Sequence, residues 1–235
     1  MRYAPFAAIA AALLSASSMQ AQTVLPKLCR PCLFYGGDIS PDDQYTEAFP
    51  NGMTLTTNDE TYIAVHIPAN RIMLVEGLLV QTIIERGDGL DPKQAAYEIL
   101  SDVVSGKGGT IVQSAISPAA VQPTGRQFGG FPEYTVAVQV NPPVQLSGGK
   151  FPGTVYWLNV QPQCTNPKNP YCQTVTYLES NSSLGVNSLH ISAEQYADND
   201  FYWPQKDYIF EPCVDTGLNG NQCLLSFGIM GTIVQ

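Results

Sequence analysis

Hydrophobic positions along this chain recur with a period of two, in short runs broken by Gly, Pro, Asn and Asp. Residues 62–67 set Ile63, Val65 and Ile67 against Tyr62, Ala64 and His66, which predicts a strand with one apolar face. Residues 71–75 and 78–84 are two further runs, with Glu76-Gly77 between them as a bulge or turn. Residues 110–116, 134–140, 154–160, 174–178 and 224–234 complete the strands, and Val136, Val138 and Val140 share one face. Turn chemistry separates these runs at Gly87-Asp88-Gly89, 106–109, 123–125, Gly129-Gly130, Gly148-Gly149 and Asn219-Gly220. Many short strands with this punctuation predict an all-β fold, an antiparallel two-sheet β-sandwich of jelly-roll type.

One segment follows a different period. Asp91-Pro92 reads as a helix N-cap followed by proline at the first helical position. Ala96, Ile99, Leu100 and Val103 then recur at helical spacing, and Gly106 fits a C-terminal cap. Local signals alone predict a helix over 92–105.

The N-terminus carries a different message. Arg2 is followed by an apolar run from Ala7 to Leu14 and a Ser/Ala-rich stretch ending near Ala21, the layout of a secretory signal peptide at 1–21. The run is too short for a membrane anchor, and no second long apolar segment exists, so no transmembrane anchor is expected. Residues 22–235 then form a single β-sandwich domain, secreted to the periplasm or cell exterior. The net charge of −9 and the scattered basic residues argue against nucleic acid as a partner.

Several phrases occur in a familiar order. Cys32-Leu33-Phe34-Tyr35-Gly36-Gly37-Asp38 opens the domain, then come Ala96-Tyr97-Glu98-Ile99 and Val104-Ser105-Gly106-Lys107-Gly108-Gly109-Thr110. Pro123-Thr124-Gly125-Arg126, Glu133-Tyr134-Thr135, Thr154-Val155-Tyr156-Trp157-Leu158 and Asn187-Ser188-Leu189 follow. In this the chain resembles a family of exported bacterial β-sandwich proteins, often carrying a C-terminal surface-sorting tail. The resemblance implies the sandwich fold and no particular activity. It also implies that residues 95–101 form a strand feeding a glycine-rich turn, against the local helical signal. Unlike the tailed members, the sequence closes at Gln235 after an apolar strand, which weakens the case for surface anchoring.

In an exported chain the six cysteines are expected to be oxidised. Their spacing leaves several connectivities open, and neighbour pairing of Cys29/Cys32, Cys164/Cys172 and Cys213/Cys223 is expected, because each pair flanks or precedes loop-like sequence. Cys29-Arg30-Pro31-Cys32 has the spacing of a thioredoxin-like redox motif, yet it runs into an extended segment with no βαβ pattern, so a structural disulfide is the reading. Zinc is poorly served by two distant histidines, His66 and His190. No cofactor is expected, with calcium as the one candidate, held by loop carboxylates such as Asp198 and Asp200, or Asp38, Asp42 and Asp43.

Catalytic signatures are scarce. There is no Gly-x-Ser-x-Gly elbow, and Lys107-Gly108-Gly109-Thr110 lacks the ending of a phosphate loop. Glu98, Glu133 and Glu179 lie in or beside strands and could in principle form a glycosidase-like carboxylate pair, although strand glutamates on a solvent face are the commoner case. Aromatics are richer: Tyr196, Phe201, Tyr202, Trp203, Tyr208 and Phe210 cluster among polar residues. Exposed, such rings stack on sugars; buried, they pack a long loop over the sheet. The expectation is a non-catalytic module that binds extracellular polysaccharide, with Tyr202, Trp203 and Tyr208 as binding residues. The alternatives are a structural protein engaging other surface proteins and a secreted glycan-active hydrolase.

Overall fold

The fold is that of a computed structural model, which describes residues 28–36, 52–55, 62–84, 90–103, 109–128, 131–164, 174–179, 186–187, 200–202, 210–212 and 224–234. Its strands are β1 (Cys32–Tyr35), β2 (Gly52–Leu55), β3 (Ile63–Pro68), β4 (Ile72–Ile84), β5 (Leu90–Ser101), β6 (Thr110–Phe128) and β7 (Phe131–Ser147). They continue as β8 (Gly153–Cys164), β9 (Thr174–Glu179), β10 (Val186–Asn187), β11 (Asp200–Tyr202), β12 (Phe210–Pro212), β13 (Leu224–Leu225) and β14 (Phe227–Ile233). The expected leader at 1–21 and the turns at 87–89 and 219–220 lie outside the described residues.

Every described pairing is antiparallel, so the all-β reading holds. All of these but β11 and β12 join into one hydrogen-bonded sheet, whose main path runs β10-β1-β14-β4-β7-β6-β5-β8-β3, with β9 branching from β4. Strand β6 makes that continuity. Its first half pairs with β5, from Ser101↔Thr110 to Gln94↔Pro118, and its second half pairs with β7, from Ala119↔Val138 to Phe128↔Phe131. The sheet therefore curls like half a barrel. Inward side chains of β3, β5 and β8 (Ile63, Val65, Ile67, Ala95, Tyr97, Ile99, Leu158, Val160) share one core with those of β4, β7 and β14 (Met73, Val75, Leu78, Val80, Val136, Val138, Val140, Phe227, Ile229). Burial of these branched and aromatic side chains is the main stabilising term.

Three details depart from local sequence signals. The helix predicted over 92–105 is instead strand β5, and the strand implied for 95–101 is observed. The two patterns overlap in this segment, and the core decides between them. Ala95, Tyr97 and Ile99 are buried at alternate positions, with ladders to β6 on one side and β8 on the other. The runs 71–75 and 78–84 are one strand, β4, kinked where Gly77 and Val75 oppose Met230 and Gly231 and Glu76 is left over. That is the expected bulge at Glu76-Gly77. The turn expected at 123–125 is instead a bulge inside β6. Between Pro123↔Tyr134 and Gln127↔Pro132 the register shifts, with Gly125 at φ +85°, so the strand kinks without reversing.

Candidate functional site

The bulge in β6 has a chemical consequence, since it brings Arg126 over the outward face of β4 and β7. On that face Glu133 is 1% exposed and Gln81 also 1%. The Arg126 guanidinium donates through Nε to Glu133 Oε2 at 2.5 Å and through Nη2 to Oε1 at 3.0 Å. Nη2 also donates to Gln81 Oε1 at 2.9 Å, which in turn accepts from Ser226 Oγ at 2.9 Å. Thr124 Oγ1 donates to Glu133 Oε2 at 2.5 Å and accepts from the Arg126 N–H at 3.1 Å. This two-pronged pairing satisfies a carboxylate that would be costly to bury alone. The network ties β4, β6, β7 and the residue before β14 together. Its bonds span the register shift in β6.

The other half of the sheet carries a second polar set on its outward face. Tyr62 donates its hydroxyl to Glu98 Oε2, and Asn159, opposite Glu98 in the ladder, is buried beside Gln161. Tyr62, Ala64, Leu100 and Trp157 pack together there, so Trp157 is buried on the outward face and does not join the main core. Glu98 and Glu133 thus stand on opposite outer faces of the curled sheet, with the shared core between them. These two carboxylates do not converge across a cleft.

The aromatic segment is seen in part. Strands β11 and β12 form a separate two-stranded ladder that pairs Asp200 with Pro212, Phe201 with Glu211 and Tyr202 with Phe210. The ladder's β11 lies beside β3. Trp203, Tyr208 and Asp198 fall outside the described residues. Cys29 and Cys32 are bonded to each other and run straight into β1, with Cys29 buried against Tyr35, Leu79, Ala137 and Met230. Cys164 closes β8 opposite Leu90, while Cys172, Cys213 and Cys223 lie outside the described residues, as do Asp38, Asp42 and Asp43. Among the described residues no group of three or more His, Cys, Asp or Glu side chains comes together.

A further surface feature sits at one end of the sheet, where the β3–β4 and β7–β8 connections meet. The Asn70 N–H donates to the Gly149 carbonyl at 3.0 Å and the Gly148 N–H to the Arg71 carbonyl at 2.9 Å. The Gly153 N–H closes the second turn on the Lys150 carbonyl at 2.9 Å, and Thr154 Oγ1 donates to the Gly148 carbonyl at 3.1 Å. A Cβ on Gly148 would stand 1.9 Å from the Pro68 carbonyl oxygen, so the two turns touch only because this residue is glycine. From this braced end Phe151 projects into solvent, 90% exposed. Sequence reading passed over Phe151 because a Gly-Gly-Lys-Phe-Pro-Gly stretch registers as a turn; the signal was the aromatic inside it. Comparison with known proteins finds no matching family model, no matching curated protein and no matching solved structure.

Proposed function

We propose that this is a secreted, non-catalytic β-sandwich module that binds an extracellular polysaccharide through the β11–β12 hairpin. The observation that carries the reading is the ladder register, which sets Tyr202 opposite Phe210 at the base of the 203–209 connection. In the sequence Trp203 follows Tyr202 and Tyr208 stands two before Phe210, so aromatic residues are dense in this segment, whose β11 lies beside β3. Rings so grouped offer a stacking platform for pyranose faces. Asp200 opens the same hairpin, and with Asp198 it supplies carboxylate oxygen for a calcium ion that would bridge to sugar hydroxyls. The sandwich description draws support from the two halves of the curled sheet facing each other over one core. Export draws its support from residues 1–21.

The test is retention of the oxidised protein on a panel of insoluble polysaccharides, with calcium and with chelator. Selective retention that Tyr202→Ala or Trp203→Ala weakens, with the fold kept, supports the reading. No retention on any polymer removes it. A second reading, self-association in a surface assembly, is favoured by one feature. The stretch 110–125 has no charged residue, and Ile111, Val112 and Ile116 of β6 are exposed at 58%, 38% and 64%. Mass that rises with concentration in light scattering, and falls with Ile116→Lys, would favour it.

A further inference from the structure

We propose that the braced end of the sheet, around Phe151, Lys150 and Arg71, is a contact point for an acidic polysaccharide. The inference rests on the glycan reading above and narrows its ligand to polymers bearing carboxylates. Phe151 is 90% exposed, and its ring makes no contribution to the core. An aromatic held out on a two-residue spacing between Gly149 and Gly153, in a turn closed by its own backbone hydrogen bond, is preorganised to receive a flat partner. Lys150 adjoins it in the chain. Arg71 lies across from Gly148, three residues before Phe151, because the Gly148 N–H donates to the Arg71 carbonyl. Both side chains belong to exposed residues. In a chain with twenty carboxylates and eleven Lys and Arg, residues 67–73 and 146–155 contain no Asp or Glu. Asp102, just past Ser101 where β5 pairs with Tyr156, adds one exposed carboxylate at this end, so among the described residues Arg71 and Lys150 leave it net positive, opposite to the whole chain.

The flanking groups fit a sugar. Asn70, on the turn whose N–H bonds the Gly149 carbonyl, carries an exposed amide of the kind that pairs with pyranose hydroxyls, and exposed Ser147 carries a hydroxyl that accepts from the Gly149 N–H. A bilayer is the poorer match. Of the other exposed apolar residues near this end, Val155 lies on β8 at 42% exposure, while Ile233 closes β14 and Val234 follows it, and β4 with Arg71 at its head lies between that last pair and the turn. A flat anionic surface would also draw the acidic remainder of the chain close to like charge, whereas a linear polymer crosses the tip alone. Ring stacking on the sugar and two cations on successive carboxylates together define the contact.

The experiment is affinity electrophoresis of the full oxidised chain in gels containing polygalacturonate or a neutral glucan, beside flotation with phosphatidylglycerol vesicles. Retardation by polygalacturonate is expected to weaken about tenfold in Phe151→Ala, and about as much in Arg71→Gln/Lys150→Gln. It is also expected to fall with added salt. Unchanged thermal unfolding of these variants would show that the loss is not one of fold. Retardation by polygalacturonate that both variants retain overturns the tip as the contact and leaves the glycan reading standing. Retention on neutral polymers alone does the same. No retardation in any gel overturns both. Vesicle binding that depends on Phe151 without polysaccharide binding makes the tip a membrane contact, and overturns the proposal.

Discussion

Replacing Arg126 by Met tests whether the buried carboxylate governs the β6 bulge. The Glu133 side chain is 2% exposed and receives two donors from Arg126 and one from Thr124 Oγ1. Methionine keeps much of the aliphatic stem and removes both charge-assisted bonds. Breaking a fully buried pair from one side costs about 3–5 kcal/mol. Here the Arg126 side chain is 38% exposed, so water reaches the vacated site and the cost shrinks. A loss of about 2–3 kcal/mol follows, which for a chain of this size lowers the melting temperature by roughly 5–10 °C. Glu133→Gln leaves an arginine that solvent can reach and a neutral amide that still accepts from Thr124, so about 1–2 kcal/mol is expected. The double variant should lose less than the sum of the singles, giving a coupling of about 1 kcal/mol or more. Urea unfolding of all four proteins closes the cycle. If Arg126→Met unfolds within about 0.5 kcal/mol of the parent, the pair behaves as an ordinary surface contact and the reasoning fails.

Two further outcomes are expected. Gly148→Ala forces a methyl group into the Pro68 carbonyl, and separating the two turns should cost about 1–3 kcal/mol in chemical denaturation, with a shift below 0.5 kcal/mol refuting the close approach. Cys29→Ser/Cys32→Ser opens a loop with a sequence separation of 3, which the chain-entropy account values at about 2 kcal/mol. Denaturation of parent and variant under oxidising conditions, then with reductant, should show the gap closing on reduction.

Period-two alternation carried most of the fold, because strands half-buried in a curled sheet expose their pattern directly. Ile63, Val65 and Ile67 are buried as the alternation of residues 62–67 requires, and so are Val136, Val138 and Val140. The pattern failed where two periods coincide. In and just after β5, Ala96, Ile99, Leu100 and Val103 satisfy a helix, yet Ala95, Tyr97 and Ile99 satisfy a strand, and only the neighbours β6 and β8 decide. The ion pair was illegible for a related reason. Arg126 and Glu133 come together through a two-strand hairpin and a bulge at Gly125, and Pro-Thr-Gly reads locally as a reversal.

The outward polar sets also separate structural from binding residues. Glu133, Gln81, Asn159 and Gln161 are buried and engaged, so changing them alters stability and with it any activity. Phe151, Lys150 and Arg71 stand on turns whose geometry is fixed by backbone hydrogen bonds and glycine, and their side chains can change with the frame intact. A loss of binding at this tip therefore reports on contact, whereas a loss after substitution at Glu133 must first be corrected for the unfolded fraction. The β11–β12 hairpin is judged by the same criterion. Tyr202→Ala identifies a binding residue only if the unfolding midpoint stays with the parent, and a midpoint that falls with binding makes the ring part of the packing beside β3.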